Sequence, residues 1–284
     1  MFGLKRRFAN SWFLVLVPSI VVLLCFFVVP LAYVVGRSIP DYSLKYYVMI
    51  LTTPVYVKVI FLTFKTSILV TFVCLLLGYP YAYAMSRAQG WLLIALSIAL
   101  LLPFWVSFLL RTFAWMILLQ DTGLINKVLI ATGIINEPIG LIRSTVGVTI
   151  GMAHILLPYV VLPIYAVMRR IDHRLMDAAS ISGARPVRAF CRVYFPLSLP
   201  GVYAAAVLAF TLGLGFYITP ALLGSSRNTM IGQLIAEQIG EQLNFEAGSA
   251  MAVILLILTG MAFGFFGVVQ WLGKQRLALT GMSH

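Results

Sequence analysis

Residues 177–201 read DAASISGARPVRAFCRVYFPLSLPG, a polar, proline-punctuated stretch in a 284-residue chain that is 62% hydrophobic and only 10% charged. Asp172 is placed to cap a helix, and Gly183 stands where a helix stop wants a left-handed residue. A short helix is therefore predicted between them. On it Leu175, Ala178, Ala179 and Ser182 fall at i, i+3, i+4 and i+7 and share one face. That face is short-chained, so a partner backbone or cleft can approach it closely. Pro186 then opens a second short helix, and Pro196 is expected to close it. Arg185, Arg188 and Arg192 line one side of this element, and Val187, Phe190 and Tyr194 another. It reads as an amphipathic element on a membrane surface, with its arginines toward phosphates or water. The residues leave two readings open: a docking handle for a partner protein, or a solvated loop that merely satisfies topology.

On either side the chain is apolar. Mean hydropathy is +1.02, and apolar usage is far above the roughly 45–50% of soluble proteins. Six charge-free runs, 8–36, 66–86, 88–110, 144–168, 193–226 and 247–273, each exceed eighteen residues. A helix crosses a bilayer core with about 20 apolar residues, and its backbone must be satisfied within the segment. The expected architecture is all-α, a single membrane domain over 1–284 with six spans near 12–35, 66–86, 91–110, 145–168, 201–223 and 249–272. The first run follows Lys5, Arg6 and Arg7. Its apolar part is about twice the roughly 7–15 residues of a signal-peptide core and no small-x-small site follows, so it reads as a retained anchor.

Six spans put both termini on one side. That side would hold twelve of the twenty basic residues, including Arg87, six arginines between 169 and 192, Lys274 and Arg276, against two acids. The other side would hold eight basic residues and six acids. The bias makes the first side cytosolic, with both termini and the 169–200 loop. The net charge of +12 is thereby a matter of topology and lipid contact, not of nucleic acid. Cys25, Cys74 and Cys191 form no disulfide framework.

The long loops, 37–65 and 111–143, fall outside. The second is expected to form short helices on or dipping into the outer face. Prolines interrupt the spans: Pro18 and Pro30 the first, Pro80 the second, Pro103 the third, Pro158 and Pro163 the fourth. Gly213, Gly215, Pro220 and Gly224 crowd the end of the fifth. Broken backbone at membrane depth is tolerated where protein or a water-filled cavity satisfies it. Simple kinking and a solute pathway at 213–220 are both compatible with this pattern.

The opening stretch is similar to the cytosolic signature of ABC importer permeases: Glu-Ala-Ala, three residues, Gly, about nine residues, then a hydrophobic-x-Leu-Pro ending. Asp177, Ala178, Ala179, Gly183, Phe190, Pro196 and Pro200 occupy the matching positions, with Asp177 in place of the usual Glu. The stretches LLGYPYAYAMSR, LLPFWVSFLLRTFAWMILLQDTGLIN, ILLPYVVLPIY and GFYITPALLG resemble the spermidine/putrescine-type permeases and, with the signature, cover most of 60–225. The resemblance implies the type I ABC importer permease fold in a bacterial inner membrane. It implies that the helix carrying Leu175, Asp177, Ala178, Ala179, Ser182 and Gly183 couples to a groove of a separate ATPase. Two ATPase subunits, a second permease and an outside solute-binding protein are the implied partners, beside the bilayer itself.

No Gly-x-x-x-x-Gly-Lys-Ser/Thr motif, metal-spaced Cys/His cluster or nucleophile elbow occurs. The chain therefore reads as a translocation subunit without cofactors, with ATP and Mg bound by the partner. His154, in the fourth span, is read as a hydrogen-bonded packing residue, with function as the alternative. For a cationic polyamine the candidate pathway residues are aromatic, Trp105, Trp115, Phe216 and Tyr217, with Asp121 and Glu237 nearer the outer mouth. Core packing competes for the aromatics, and docking of the delivery protein competes for the acids. Polyamines lead among solutes; other small amines, amino acids, opines, organophosphonates and ferric iron stay open. An ion-coupled carrier acting alone would want intramembrane acids, and none of the six runs holds one. A non-transporting scaffold would not need broken spans.

Overall fold

A computed structural model of the protein describes the backbone of residues 3–172 and 174–281, and side chains over 16–172, 174–264 and 266–268. His173 and His284 lie outside the described residues, as do the side chains of Lys5, Arg6, Arg7, Lys274 and Arg276. The helices are α1 (Gly3–Arg37), α2 (Lys45–Thr52), α3 (Pro54–Arg87), α4 (Gly90–Leu101), α5 (Phe108–Leu118), α6 (Leu124–Ala131), α7 (Thr145–Met168), α8 (Arg174–Ile181), α9 (Pro186–Ala189), α10 (Phe195–Leu214), α11 (Ile218–Leu223), α12 (Ile231–Gly240) and α13 (Phe245–Gly281). Among the described residues, five helical stretches are long and apolar enough to cross a membrane, and a bent pair makes six if it counts as one span.

The chain divides into two units. The first comprises Met1–Thr53 and Ile235–Leu258. Its α1 stretch Leu16–Arg37 has no buried residue, an apolar exterior suited to lipid tails. Below it the Ser38 and Tyr47 hydroxyls meet at 2.6 Å. The Arg37 guanidinium stands 5.6 Å from the Phe245 ring.

The second unit comprises Pro54–Leu234 and Thr259–His284. Its core is built by α3, α7 and α10, which completely bury Val70 and Cys74, Met152, Leu156, Val160 and Ile164, and Ala205 and Ala209. Lipid tails supply no hydrophobic drive between helices, so close packing must hold them, and small residues allow it. Gly78 faces Val160, Gly201 faces Ile164 and Gly213 faces Ser67.

Several expectations change. The loop expected over 37–65 is largely helical, because α3 starts at Pro54. Pro54 is pre-set for a first turn, and the exposed Lys58 and Lys65 can carry their charge outward on long apolar stems. Pro18, Pro30, Pro80, Pro158 and Pro163 all sit inside continuous helices. At Pro158, which is buried, and Pro163, which is half-buried, packed neighbours and local adjustment absorb the missing N–H. Pro103 does break its span: a 3-10 turn over Leu102–Trp105 precedes a 101° bend into α5. The expected straight span 91–110 is thus two helices. The fifth span also divides, with α10 ending at Leu214 and α11 resuming at Ile218.

Pro196 does not close the second short helix. Helix continues from Pro186 to Leu214 through a π turn over Phe190–Tyr194, whose closing bond runs from the Phe195 N–H to the Phe190 carbonyl. The wider turn accepts the proline ring, which an ordinary turn would force against the carbonyl four residues back.

Candidate functional site

At the end of α7 the chain leaves the bundle and forms α8. Asp172 Oδ1 accepts the Arg174 N–H at 2.9 Å, which satisfies one orphan donor of the first turn. Gly183 adopts φ +82°. The Gly183 N–H donates to the Ser180 carbonyl and the Ala184 N–H to the Ala179 carbonyl, each at 3.0 Å. This is the paired closure that glycine permits at a helix end. Leu175, Asp177, Ala178 and Ser182 are exposed and Ala179 half-buried. The Ser182 hydroxyl donates back to the Ala178 carbonyl, so it offers no free donor. Ile181, 89% exposed, stands beside this face.

The segment after α8 is held far more firmly. Phe190 and Tyr194 stack at 5.6 Å between centroids. Tyr83 of α3 meets both edge-on, at 5.6 and 5.3 Å, and Tyr79 meets Phe190 edge-on at 6.3 Å. Hydroxyl pairs join Ser86 to Tyr194 at 3.1 Å and Tyr79 to Ser198 at 2.9 Å. The Arg87 guanidinium lies 5.5 Å from the Tyr83 ring and 5.7 Å from the Tyr194 ring. Phe190 and Tyr194 thus face inward as the amphipathic reading requires, whereas Val187 is 75% exposed.

Trp105 and Phe216 line one cleft of about 470 Å³ together with Phe104, Phe108, Arg111 and Tyr159. Phe216 and Tyr217 line a second, of about 360 Å³, which shares Phe108. Trp115 lines neither; its ring packs edge-on against His154 at 5.6 Å. The hydrogen bond expected of His154 is not made: its Nδ1 is buried with no partner among the described residues. Asp121 is exposed in the turn before α6 and lines neither cleft. Glu237 belongs to the other unit, where it accepts from Gln242 Nε2 at 3.3 Å.

Arg111 escaped the sequence reading, which left it at the start of an outer loop. Its Nε is buried without a partner among the described residues. The signal was present: with a helix starting at 108, Phe108, Arg111, Thr112 and Trp115 share a face. Tyr79, Tyr83 and Arg87, each four apart, likewise mark one face of α3.

No family model matches the chain. It is 31% identical over 256 residues to the spermidine/putrescine transport system permease protein PotB of Haemophilus influenzae, covering 88% of this chain and 87% of that protein. It is 30% identical to the protein of the same name from Escherichia coli, over 80% of this chain and 81% of the relative. Among solved structures, a bacterial alginate ABC transporter in complex with an alginate-bound periplasmic protein superimposes with a TM-score of 0.71 at 15% identity. That match covers 92% of this chain and 94% of the solved one. The fold of the α3–α7–α10 bundle and the similarity along most of its length agree: the chain belongs to the ABC importer permeases of the spermidine/putrescine transport system type.

Proposed function

We propose that this permease serves an ATP-driven importer of polyamines in a bacterial inner membrane, with α8 and both termini in the cytosol. The observation that carries the proposal is α8 itself. It buries no residue completely and is closed by a left-handed glycine, yet it presents a small-faced surface edged by an exposed isoleucine and leucine. A short-chained helix face of that kind lets a partner's groove approach closely. An ATPase groove is the occupant that fits a permease without a phosphate-binding loop. Two ATPase subunits hold ATP and Mg, a solute-binding protein delivers at the opposite end, and a second permease completes the pathway. Binding of ATP and of loaded delivery protein favours different states of the complex, and the coupling helix must differ in contact between them.

A polyamine is favoured by the spermidine/putrescine transport of the relatives and by the aromatic faces of the clefts. The first cleft has an arginine and no carboxylate among its lining residues. Cation selection there must come from ring faces and from groups that the second permease contributes. The test is mild extraction of the tagged chain from its native membrane, crosslinking, mass spectrometry, and reconstitution with labelled spermidine and putrescine. Recovery of an ATPase and a second permease, with ATP-dependent polyamine uptake, is the expected result. A chain recovered alone after crosslinking, or a complex indifferent to polyamines, defeats the corresponding part of the proposal.

A further inference from the structure

The grip of α8 on the bundle is slight. Met176 and Ala179 are half-buried, Met176 at the edge of the core, and no residue of the helix is fully buried. A helix held this loosely cannot displace a membrane span through its own contacts. Its movement has to travel along the chain into 184–194, and from there into whatever that segment grips.

That segment grips α3. Four rings from two places in the chain, Tyr79 and Tyr83 on α3 and Phe190 and Tyr194 on the π turn, meet in one stacked and three edge-to-face pairs. Tyr194 is completely buried, so the contact is part of the core and not a surface touch. Two hydroxyl pairs fasten its flanks, and Arg87, at the very end of α3, lies over two of the rings. Ring pairs hold angle as well as distance, and close-packed groups transmit displacement because they do not compress.

We infer that Tyr79, Tyr83, Phe190 and Tyr194, capped by Arg87, form a rigid latch that delivers the movement of α8 to α3, so that α3 is the first span to respond to the ATPase. The inference rests on the reading of α8 as an ATPase seat. These residues are positioning residues: none touches solute or nucleotide.

The test uses the complete reconstituted complex and reads solute moved per ATP hydrolysed. Tyr83→Leu and Tyr194→Leu keep apolar bulk and remove the rings. Assembly and basal ATP hydrolysis persist in both, while solute moved per ATP falls by about fivefold or more, the lower end of measured coupling between sites. Tyr194→Phe, which keeps the ring and loses the hydroxyl pair, stays near the wild-type ratio. A merely structural role would lower assembly and both activities together and leave the ratio unmoved.

Rescue is read in a background with Cys25, Cys74 and Cys191 replaced, carrying Tyr83→Cys and Tyr194→Cys. A short bis-methanethiosulfonate bridge between the two new thiols restores the lost coupling. The latch is overturned if both leucine variants keep the wild-type ratio, or if the bridge arrests transport, since the contact would then have to open in each cycle. Should Tyr194→Leu fail to assemble, the half-buried Tyr83 carries the same test. A wild-type complex that moves solute without any ATPase defeats the proposed function first, and the latch with it.

Discussion

Gly201 of α10 lies directly on the α7 backbone at Ile164: a β-carbon added to Gly201 would stand 3.1 Å from the Ile164 Cα and 3.1 Å from the Pro163 carbonyl oxygen. Backbone atoms cannot swing aside as a side-chain tip can. Gly201→Val should therefore destabilise the bundle by about 1–3 kcal/mol, with Gly201→Ala intermediate. Thermal unfolding of the purified protein checks this, and an unchanged midpoint for both variants would show that α7 and α10 are not in tight register.

Gly183 is constrained by conformation, since nothing lies within 4 Å of an added β-carbon. Gly183→Val places a β-branched residue at φ +82°, a strain of roughly 1–3 kcal/mol, and loosens the end of α8. The variant should insert and fold normally, retain less ATPase on purification, and lose uptake. Gly183→Asn should be milder, because asparagine visits the left-handed region. Equal ATPase retention in glycine and valine forms would remove α8 from the docking role.

Thr63 accepts the Ile231 N–H on its Oγ1 at 2.8 Å in a buried setting, while donating to the Val59 carbonyl. Thr63→Val keeps the shape and strands that N–H, at about 1–3 kcal/mol. Thr63→Ser should restore most of it. Hydrogen exchange at the start of α12 is the sensitive readout: faster exchange in the valine variant only is expected.

The clefts give a charge prediction. With a cationic solute, Arg111→Gln should lower the apparent KM for uptake, by several-fold if solute passes within a few ångströms of the guanidinium in a partly screened medium. Trp105→Ala and Phe216→Ala should raise it through loss of ring faces. If Trp105→Ala and Tyr217→Ala leave both uptake and solute-stimulated ATP hydrolysis unchanged, the clefts are not the pathway.

The segment 172–183 was legible because its cues are local. A capping aspartate, a left-handed glycine and a four-residue small face need only neighbours within a turn or two. The apolar runs were legible for the same reason. Helix bounds at Lys58 and Lys65 were not, because a charge-free window ends where the first lysine appears, whereas a helix continues wherever that lysine can reach outward. The prolines misled in both directions. Pro80 sits inside a continuous helix and Pro196 follows a π turn that accepts its ring, while Pro103 breaks its span. Arg111 was lost to the same window rule. Its charge marked the end of a run, and only the bend before Phe108 turns it back toward the cleft.

The π turn at Phe190–Tyr194 has a consequence for how the chain can change by insertion or deletion. Each residue of an ordinary helix advances the azimuth by about 100°. Deleting a residue in an ordinary turn would rotate everything before it by about that angle, whereas deleting one between 190 and 194 takes out the extra residue of the wide turn, whose bond runs from the Phe195 N–H to the Phe190 carbonyl, and leaves the helix on either side close to the bearing it had. The change falls inside the turn, where one of the two stacked rings would lose its place opposite Tyr83. A three-base deletion in this stretch should thus do its damage through the displaced ring and through Pro196, whose ring an ordinary turn forces against the carbonyl four residues back, while the bearing of the segment before it survives.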